Sequence, residues 1–262
     1  DVLSQIKAKL ADGLCADFIT FSGSGEPTLN KDIGKIINGI RKLTDIRIAV
    51  ITNGTLLSDP QVRADCCKAD VVLPSLDAGD AETFEKINRP HADIRYETFI
   101  DGLCRFRDAW DGQIWLEVFF VASVNTGADQ IARMSRIIER IRPDKVQLNT
   151  AVRPAVEAAA KQVGEEELRR IAGRLAPNAE VIADFAGAGE WPGILPNIDG
   201  VLEMLKRRPC SLEDICNGLG MSRRQAGGHI AALESQDKIA SQIRDDRTFY
   251  TLKGSKFPRV KR

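Results

Sequence analysis

The stretch Ser22-Gly23-Ser24-Gly25-Glu26-Pro27 concentrates more candidate chemistry than any other part of the chain. It follows a short apolar run, Phe18 to Phe21, that reads as a buried strand. Two glycines at this spacing let a backbone turn sharply and come close to a ligand. Successive N–H groups in such a turn form a concave nest for an anion. The carbonyls and the Glu26 carboxylate accept from a cation. A ligand that needs both is the zwitterionic end of an amino acid. The alternative is a tight strand-to-helix turn with no ligand.

Other polar residues fall at the ends or along one face of apolar runs. Asn53 follows the run Ile46 to Ile51, where its amide either binds a ligand or makes the turn chemistry of Asn-Gly. Ser75 and Asp77 close the run Val71 to Leu73, with helix capping as the other role for Asp77. Glu117 lies inside Trp115 to Val121, on the face opposite Leu116 and Val118. A carboxylate there lines a polar interior with a partner or faces solvent. Gln147 and Asn149 alternate with Val146 and Leu148, which suits an interior that holds a nucleoside. Arg153 follows that run and can meet a carboxylate or phosphate, or make a surface ion pair.

The elements that must position these residues alternate. Helical spacing over Val2 to Leu10, at Ile33 to Ile40, over Val62 to Ala69, Tyr96 to Trp110 and Ala128 to Ile141 separates the strands at 18–21, 46–51, 71–75, 114–121 and 145–149. A short helix runs from its cap at Asp80 through Glu85, and Asn88-Arg89-Pro90 breaks it. A helix starts at Glu165, and 179–185 is a further candidate strand. This rhythm is that of βα units around a parallel sheet, with sites at the C-terminal strand ends.

From Asn197 the pattern changes. Ile198 to Leu205 reads as one helix, Ser211 caps a second over Leu212 to Leu219, and Ser222 caps a third to about Ser235. Runs 239–243 and 248–252 flank Arg244-Asp-Asp-Arg247 as a hairpin. Three helices and a hairpin resemble a winged helix-turn-helix domain. Its third helix offers Arg223, Arg224 and His229, and its wing Arg244 and Arg247, for phosphate or base contacts. Gly227-Gly228 and the acidic pair Asp245-Asp246 weigh against nucleic acid, and docking of a protein is the other use.

Lys plus Arg and Asp plus Glu both number 37 in 262 residues, so the whole chain has no electrostatic pull toward nucleic acid. No apolar run is long enough to span a membrane and no signal peptide is visible, which fits a cytoplasmic protein. The six cysteines, Cys15, Cys66, Cys67, Cys104, Cys210 and Cys216, show no metal-binding spacing. They read as thiols of a reducing compartment.

Four segments together resemble the radical S-adenosylmethionine (radical SAM) superfamily. They are Ser22 to Leu29, Ile51-Thr-Asn-Gly54, Pro74-Ser-Leu-Asp-Ala78 with Lys86-Ile-Asn-Arg-Pro-His91, and Val146-Gln-Leu-Asn-Thr-Ala-Val-Arg-Pro154. The likeness is to iron–sulfur oxidoreductases related to wybutosine-synthesis enzymes. It implies an α/β fold with a partial (β/α)6 barrel missing its first strand over 1–185; the residue pattern adds a linker over 186–197, the winged domain over 198–253 and a basic tail over 254–262.

The resemblance also implies a site. Ser22, Gly23, Gly25 and Glu26 would hold the methionine end of S-adenosylmethionine, with Asn53, Ser75, Asp77, Gln147 and Asn149 as further cofactor contacts. Arg89, His91, Glu117 and Arg153 would lie near substrate. Intact members cleave S-adenosylmethionine reductively at a [4Fe–4S] cluster held by a Cys-x-x-x-Cys-x-x-Cys loop. That loop has no counterpart here and is expected before Asp1, so the chain alone is expected to be inactive. An electron donor such as flavodoxin or ferredoxin is the implied partner. The rival reading is a regulatory protein, a nucleoside-sensing barrel fused to a DNA-binding winged helix.

Overall fold

In the computed structural model, which describes residues 2–13, 16–23, 25–150, 161–183, 197–207, 209–244 and 247–254, side-chain alternation sets one parallel sheet. Strand β4 (Gln113–Phe120) shows it best: Ile114, Leu116, Val118 and Phe120 are buried, while Trp115, Glu117 and Phe119 are half-buried on the other face. Strand β5 (Lys145–Thr150) repeats this, with Val146, Leu148 and Thr150 buried and Gln147 and Asn149 opposite. Each buried Leu or Ile contributes about 1.5–3 kcal/mol. A slip of one residue would put Glu117 and Asn149 against the helices, so the apolar rows fix the register.

The chain divides into two compact units, Asp1–Ala183 and Asp184–Arg262. The first runs α1 (Val2–Ala11), β1 (Phe18–Phe21), α2 (Ile33–Arg41), β2 (Arg47–Thr52), α3 (Pro60–Cys66), β3 (Val71–Pro74), α4 (Ala81–Asn88), α5 (Tyr96–Ala109), β4, α6 (Ala128–Ile141), β5, α7 (Glu165–Leu175) and β6 (Ala179–Val181). The six strands lie in chain order β1-β2-β3-β4-β5-β6, and every pair is parallel. The sixth strand is β6, only three residues long, paired with β5. Amphipathic helices cover the apolar face: Ile33, Ile37 and Ile40 from α2, Ile131, Met134 and Ile138 from α6, Leu168, Ile171 and Leu175 from α7.

The sheet curls. Phe18 of β1 and Trp115 of β4 are separated by two intervening strands, yet their rings meet edge to face at 6.0 Å. Arg47 sits over the Phe18 ring and Lys145 over the Trp115 ring, each at 4.7 Å. This four-residue stack closes the lower part of an open, partial barrel.

The second unit holds α8 (Ile198–Arg207), β7 (Cys210–Ser211), α9 (Leu212–Leu219), α10 (Arg223–Ser235), β8 (Ile239–Arg244) and β9 (Arg247–Leu252). Its antiparallel sheet has the order β7-β9-β8. Ser211 with Asp214 and Ser222 with Gln225 form capping boxes that start α9 and α10. Val201, Leu205, Ile215, Leu219, Ile230 and Leu233 form its core. Three helices and a small antiparallel sheet are the parts of a winged helix-turn-helix. Most of 186–197 and of 254–262 lies outside the described residues.

Candidate functional site

Glu26 ties the C-terminal ends of β1 and β2 together. Its Oε1 accepts from Thr28 N at 3.0 Å, from Thr28 Oγ1 at 2.6 Å and from Thr52 Oγ1 at 2.6 Å. Its Oε2 accepts from the Asn53 N–H at 2.7 Å. Thr52 is the buried last residue of β2, so the carboxylate is set by four donors from two segments. Gly23 and Gly25 follow the end of β1, where the chain turns toward Glu26. A Cβ at Gly25 would meet nothing within 4 Å, and one at Gly23 only the Gly25 nitrogen at 4.0 Å. Their missing side chains leave room above the strand ends.

Asn53 makes an Asx turn, its Oδ1 accepting from Thr55 N at 2.9 Å and Thr55 Oγ1 at 2.7 Å. Gly54, at φ +75°, does need to be glycine, since a Cβ would also stand 3.2 Å from Leu103 and Phe99. Helix α4 continues to Asn88, three residues past the expected end. Arg89 then takes a left-handed conformation, φ 46°, and the loop to His91 follows. Glu26, Asn53, Asn88, Arg89 and His91 thereby line one cavity of about 450 Å³ with apolar Leu29. Asp93 Oδ2 lies 3.3 Å from His91 Nδ1.

Asp77 is buried beside this cavity and caps no helix. Its Oδ1 accepts from Phe119 N at 2.8 Å and its Oδ2 from Asn88 Nδ2 at 2.7 Å. Burial pushes its carboxyl up to about 6; these two donors oppose the rise and nearby Glu117 adds to it. Asn125, fully buried, holds the neighbourhood: its Nδ2 donates to the carbonyls of Asp77 and Phe119, both at 2.8 Å, and its Oδ1 accepts from Val121 N.

A polar row crosses the other strands. Register places Ser75 beside Glu117, Glu117 beside Gln147 and Gln147 beside Glu180. Asn149 Nδ2 donates to Glu117 Oε1 and Gln147 Nε2 to Glu180 Oε1, both at 3.1 Å. Segments 22–29, 52–58, 74–80 and 118–126, where β1 to β4 end, contain Glu26, Asp77 and Asp80 and no Lys or Arg. Glu26 therefore offers an acceptor to a cation at these strand ends, while Arg89 and His91 line the same cavity from the loop after α4.

Arg153 lies outside the described residues. In the second unit Arg223 and Arg224 are exposed in the first turn of α10, and His229 is half-buried. Arg244 and Arg247 are paired in the β8–β9 register. Among the described residues no three His, Cys, Asp or Glu come together as a metal site. Burial raises the pKa of Cys66 to about 12 and lifts Cys67, Cys104 and Cys216 as well; Cys15 lies outside the described residues. No helix among the described residues is long and apolar enough to cross a membrane. The sequence reading missed Thr28, Thr52 and Asn125. The two threonines lie inside the quoted motif segments, whereas nothing local marks Asn125.

Residues 5–125 match the family model described as the Radical SAM superfamily. The chain is 38% identical over 246 residues to a protein named GTPase Obg of Brachyspira hyodysenteriae, covering 93% of this chain and 36% of that one. It is 32% identical over 155 residues to a UPF0026 protein of Methanocaldococcus jannaschii, 59% of this chain and 48% of the relative. The chain thus spans between about a third and a half of the length of these relatives. In fold it is similar to a radical SAM methyltransferase from Sphaerobacter thermophilus, with a TM-score of 0.51 at 17% identity over 69% of this chain and 56% of that one.

Proposed function

We propose that this chain, whose residues 5–125 match the Radical SAM superfamily model, binds S-adenosylmethionine at the C-terminal ends of its first strands and forms the core of a radical SAM enzyme. One observation carries the reading: the four-donor Glu26 clamp opens onto a cavity at strand ends whose segments hold carboxylates and no Lys or Arg, with Arg89 and His91 lining it from the loop after α4. S-adenosylmethionine carries a sulfonium, an ammonium and a carboxylate, and the acceptors at these strand ends suit its two cationic groups.

The assignments follow from placement. The open backbone at Gly23 and Gly25 offers carbonyls to the ammonium, and Glu26 holds that segment against Asn53. The row Ser75, Glu117, Gln147 and Asn149 supplies hydroxyl, carboxylate and amide groups to a nucleoside. Arg89 and His91, on the far wall, face a substrate. In this superfamily S-adenosylmethionine bound to a reduced [4Fe–4S] cluster supplies a 5′-deoxyadenosyl radical for hydrogen abstraction. The cysteines among the described residues do not fit that cluster, because no three of them come together. Its ligands, and the donor of the flavodoxin or ferredoxin kind that would reduce it, belong outside them. The kinship with wybutosine-related oxidoreductases is part of this proposal and rests on the four motif segments.

Calorimetric titration tests the reading. S-adenosylmethionine should bind, and S-adenosylhomocysteine, which lacks the sulfonium charge, should bind more weakly. No binding of either would overturn it. The regulatory alternative has one observation of its own: Arg223 and Arg224 stand in a helix first turn that has no acidic residue, where the helix dipole disfavours cations. Tight duplex binding that weakens steeply with salt would favour that alternative.

A further inference from the structure

Strand β8 leaves one edge of the second unit's sheet open. The order β7-β9-β8 gives it β9 on one side and, among the described residues, no strand on the other. Lys253 N donates to Lys238 O at 2.9 Å, and the antiparallel register runs unbroken from Ile239↔Leu252 to Arg244↔Arg247. Backbone bonds in such a ladder fall on alternate residues. Positions 238, 240, 242 and 244 therefore bond to β9, and the N–H and C=O groups of Ile239, Ser241 and Ile243 point away from it. Edge strands are normally blunted by proline, an inward-pointing charge or a bulge. The run Ile239-Ala-Ser-Gln-Ile243 has no proline, no charged residue and no bulge. Ile243 is 73% exposed, while Ile239, on the same face of the strand, is 4% exposed and part of the core.

We infer that β8 pairs antiparallel with β8 of a second copy of this chain, about a two-fold axis through Ser241. Symmetry selects both the occupant and the register. A two-fold axis perpendicular to a sheet keeps every residue on its own face, so only positions of equal parity stand opposite one another. Centred on Ser241, the pairing sets the outward backbone groups of Ile239, Ser241 and Ile243 against those of Ile243, Ser241 and Ile239 of the second copy. Each exposed Ile243 then lies opposite a core residue, Ile239 of the other copy, and the apolar row of one core runs on into the next. The same register sets Lys238 opposite Arg244 of the other copy at both ends of the ribbon. These like charges oppose association, so the contact is a weak one that salt strengthens. The inference is independent of the S-adenosylmethionine reading.

Sedimentation velocity on the full chain tests it, over about a hundredfold range of concentration up to about 1 mM. The expected result is a monomer–dimer equilibrium that tightens as salt rises from about 50 to 500 mM. I243K should weaken the dimer about tenfold, since symmetry removes two cross-strand pairs at once. S241P deletes the N–H at the axis, which β9 does not use, and should abolish dimerisation. K238E is the decisive variant. It turns both like-charge pairs into opposite-charge pairs, so the dimer should tighten about fivefold and its salt dependence should reverse. All three positions are exposed, and circular dichroism melts check that each variant is folded. A monomer at every concentration overturns the inference and leaves the edge to a different partner or to none. A dimer insensitive to I243K and S241P also overturns it, because another surface then holds the copies together. A folded K238E protein whose dimer is no tighter than wild type overturns the register and with it the two-fold pairing.

Discussion

Glu26 Oε2 and the Asn53 N–H lie 2.7 Å apart across the tops of two neighbouring strands. The other oxygen of the same carboxylate serves Thr28 and Thr52. A glutamine at this position has no good orientation: its NH2 faces either the Asn53 N–H or the two threonines. E26Q should lower unfolding free energy by about 1–3 kcal/mol and weaken S-adenosylmethionine binding. Urea unfolding monitored by circular dichroism measures the first effect, and unchanged stability would show that the clamp is not holding the strand ends.

Asp77 gives the fold a pH dependence of unusual sign for a carboxylate. Burial raises its pKa to about 6, against about 3.9 in an unfolded chain. Between these values the folded protein binds more protons than the unfolded one, so stability falls as pH rises through the window from about 4 to 6. A shift of this size corresponds to about 3 kcal/mol, fully lost above pH 6. D77N should remove this contribution to the pH slope and raise the urea midpoint at pH 8. Identical slopes for D77N and wild type between pH 4 and 6 would refute the assignment.

The thiols divide by burial. Cys66, with its pKa at about 12, and fully buried Cys210 should react with a thiol reagent at pH 8 only after unfolding. Cys67, Cys104 and Cys216 are partly exposed, but their raised pKa values make them slow. Mass mapping of alkylated peptides before and after denaturation checks this; rapid labelling of Cys66 in the native protein is the contrary result.

The curl of the sheet has its own test. Phe18 and Trp115 touch only because β1 and β4 are brought round toward each other. A double-mutant cycle with F18A and W115A should give a coupling of about 1 kcal/mol. A coupling near zero would mean that the two rings do not meet in solution.

Much of this architecture is legible from local pattern. The helix expected over Ala128 to Ile141 has those bounds, because five apolar residues recur along one face. Alternation alone placed Glu117, Gln147 and Asn149 on the face away from the helices. Strand β6 was harder, since three residues carry too little pattern to fix its ends. What stayed hidden is long-range. Asp77 and Asn125 are 48 residues apart in the pair that joins them, and no spacing rule signals such a bond. At Gly23 and Gly25 an open approach and a tight turn call for the same residue type, so the sequence alone does not separate them.

The stack of Arg47, Phe18, Trp115 and Lys145 gives the barrel a floor with a sign. Positive charge rests on aromatic rings at that end, while Glu26, Glu117 and Asp77 lie toward the other. Both cations are exposed and Lys145 Nζ lies 4.0 Å from Glu180 Oε1, so solvent and that carboxylate weaken the separation and leave only a shallow potential gradient along the interior. A cation entering at the strand ends descends with the field only until the floor repels it. Depth of insertion, rather than strength of attachment, is then what the floor sets, and neutralising Arg47 and Lys145 together would let the same ligand sink lower.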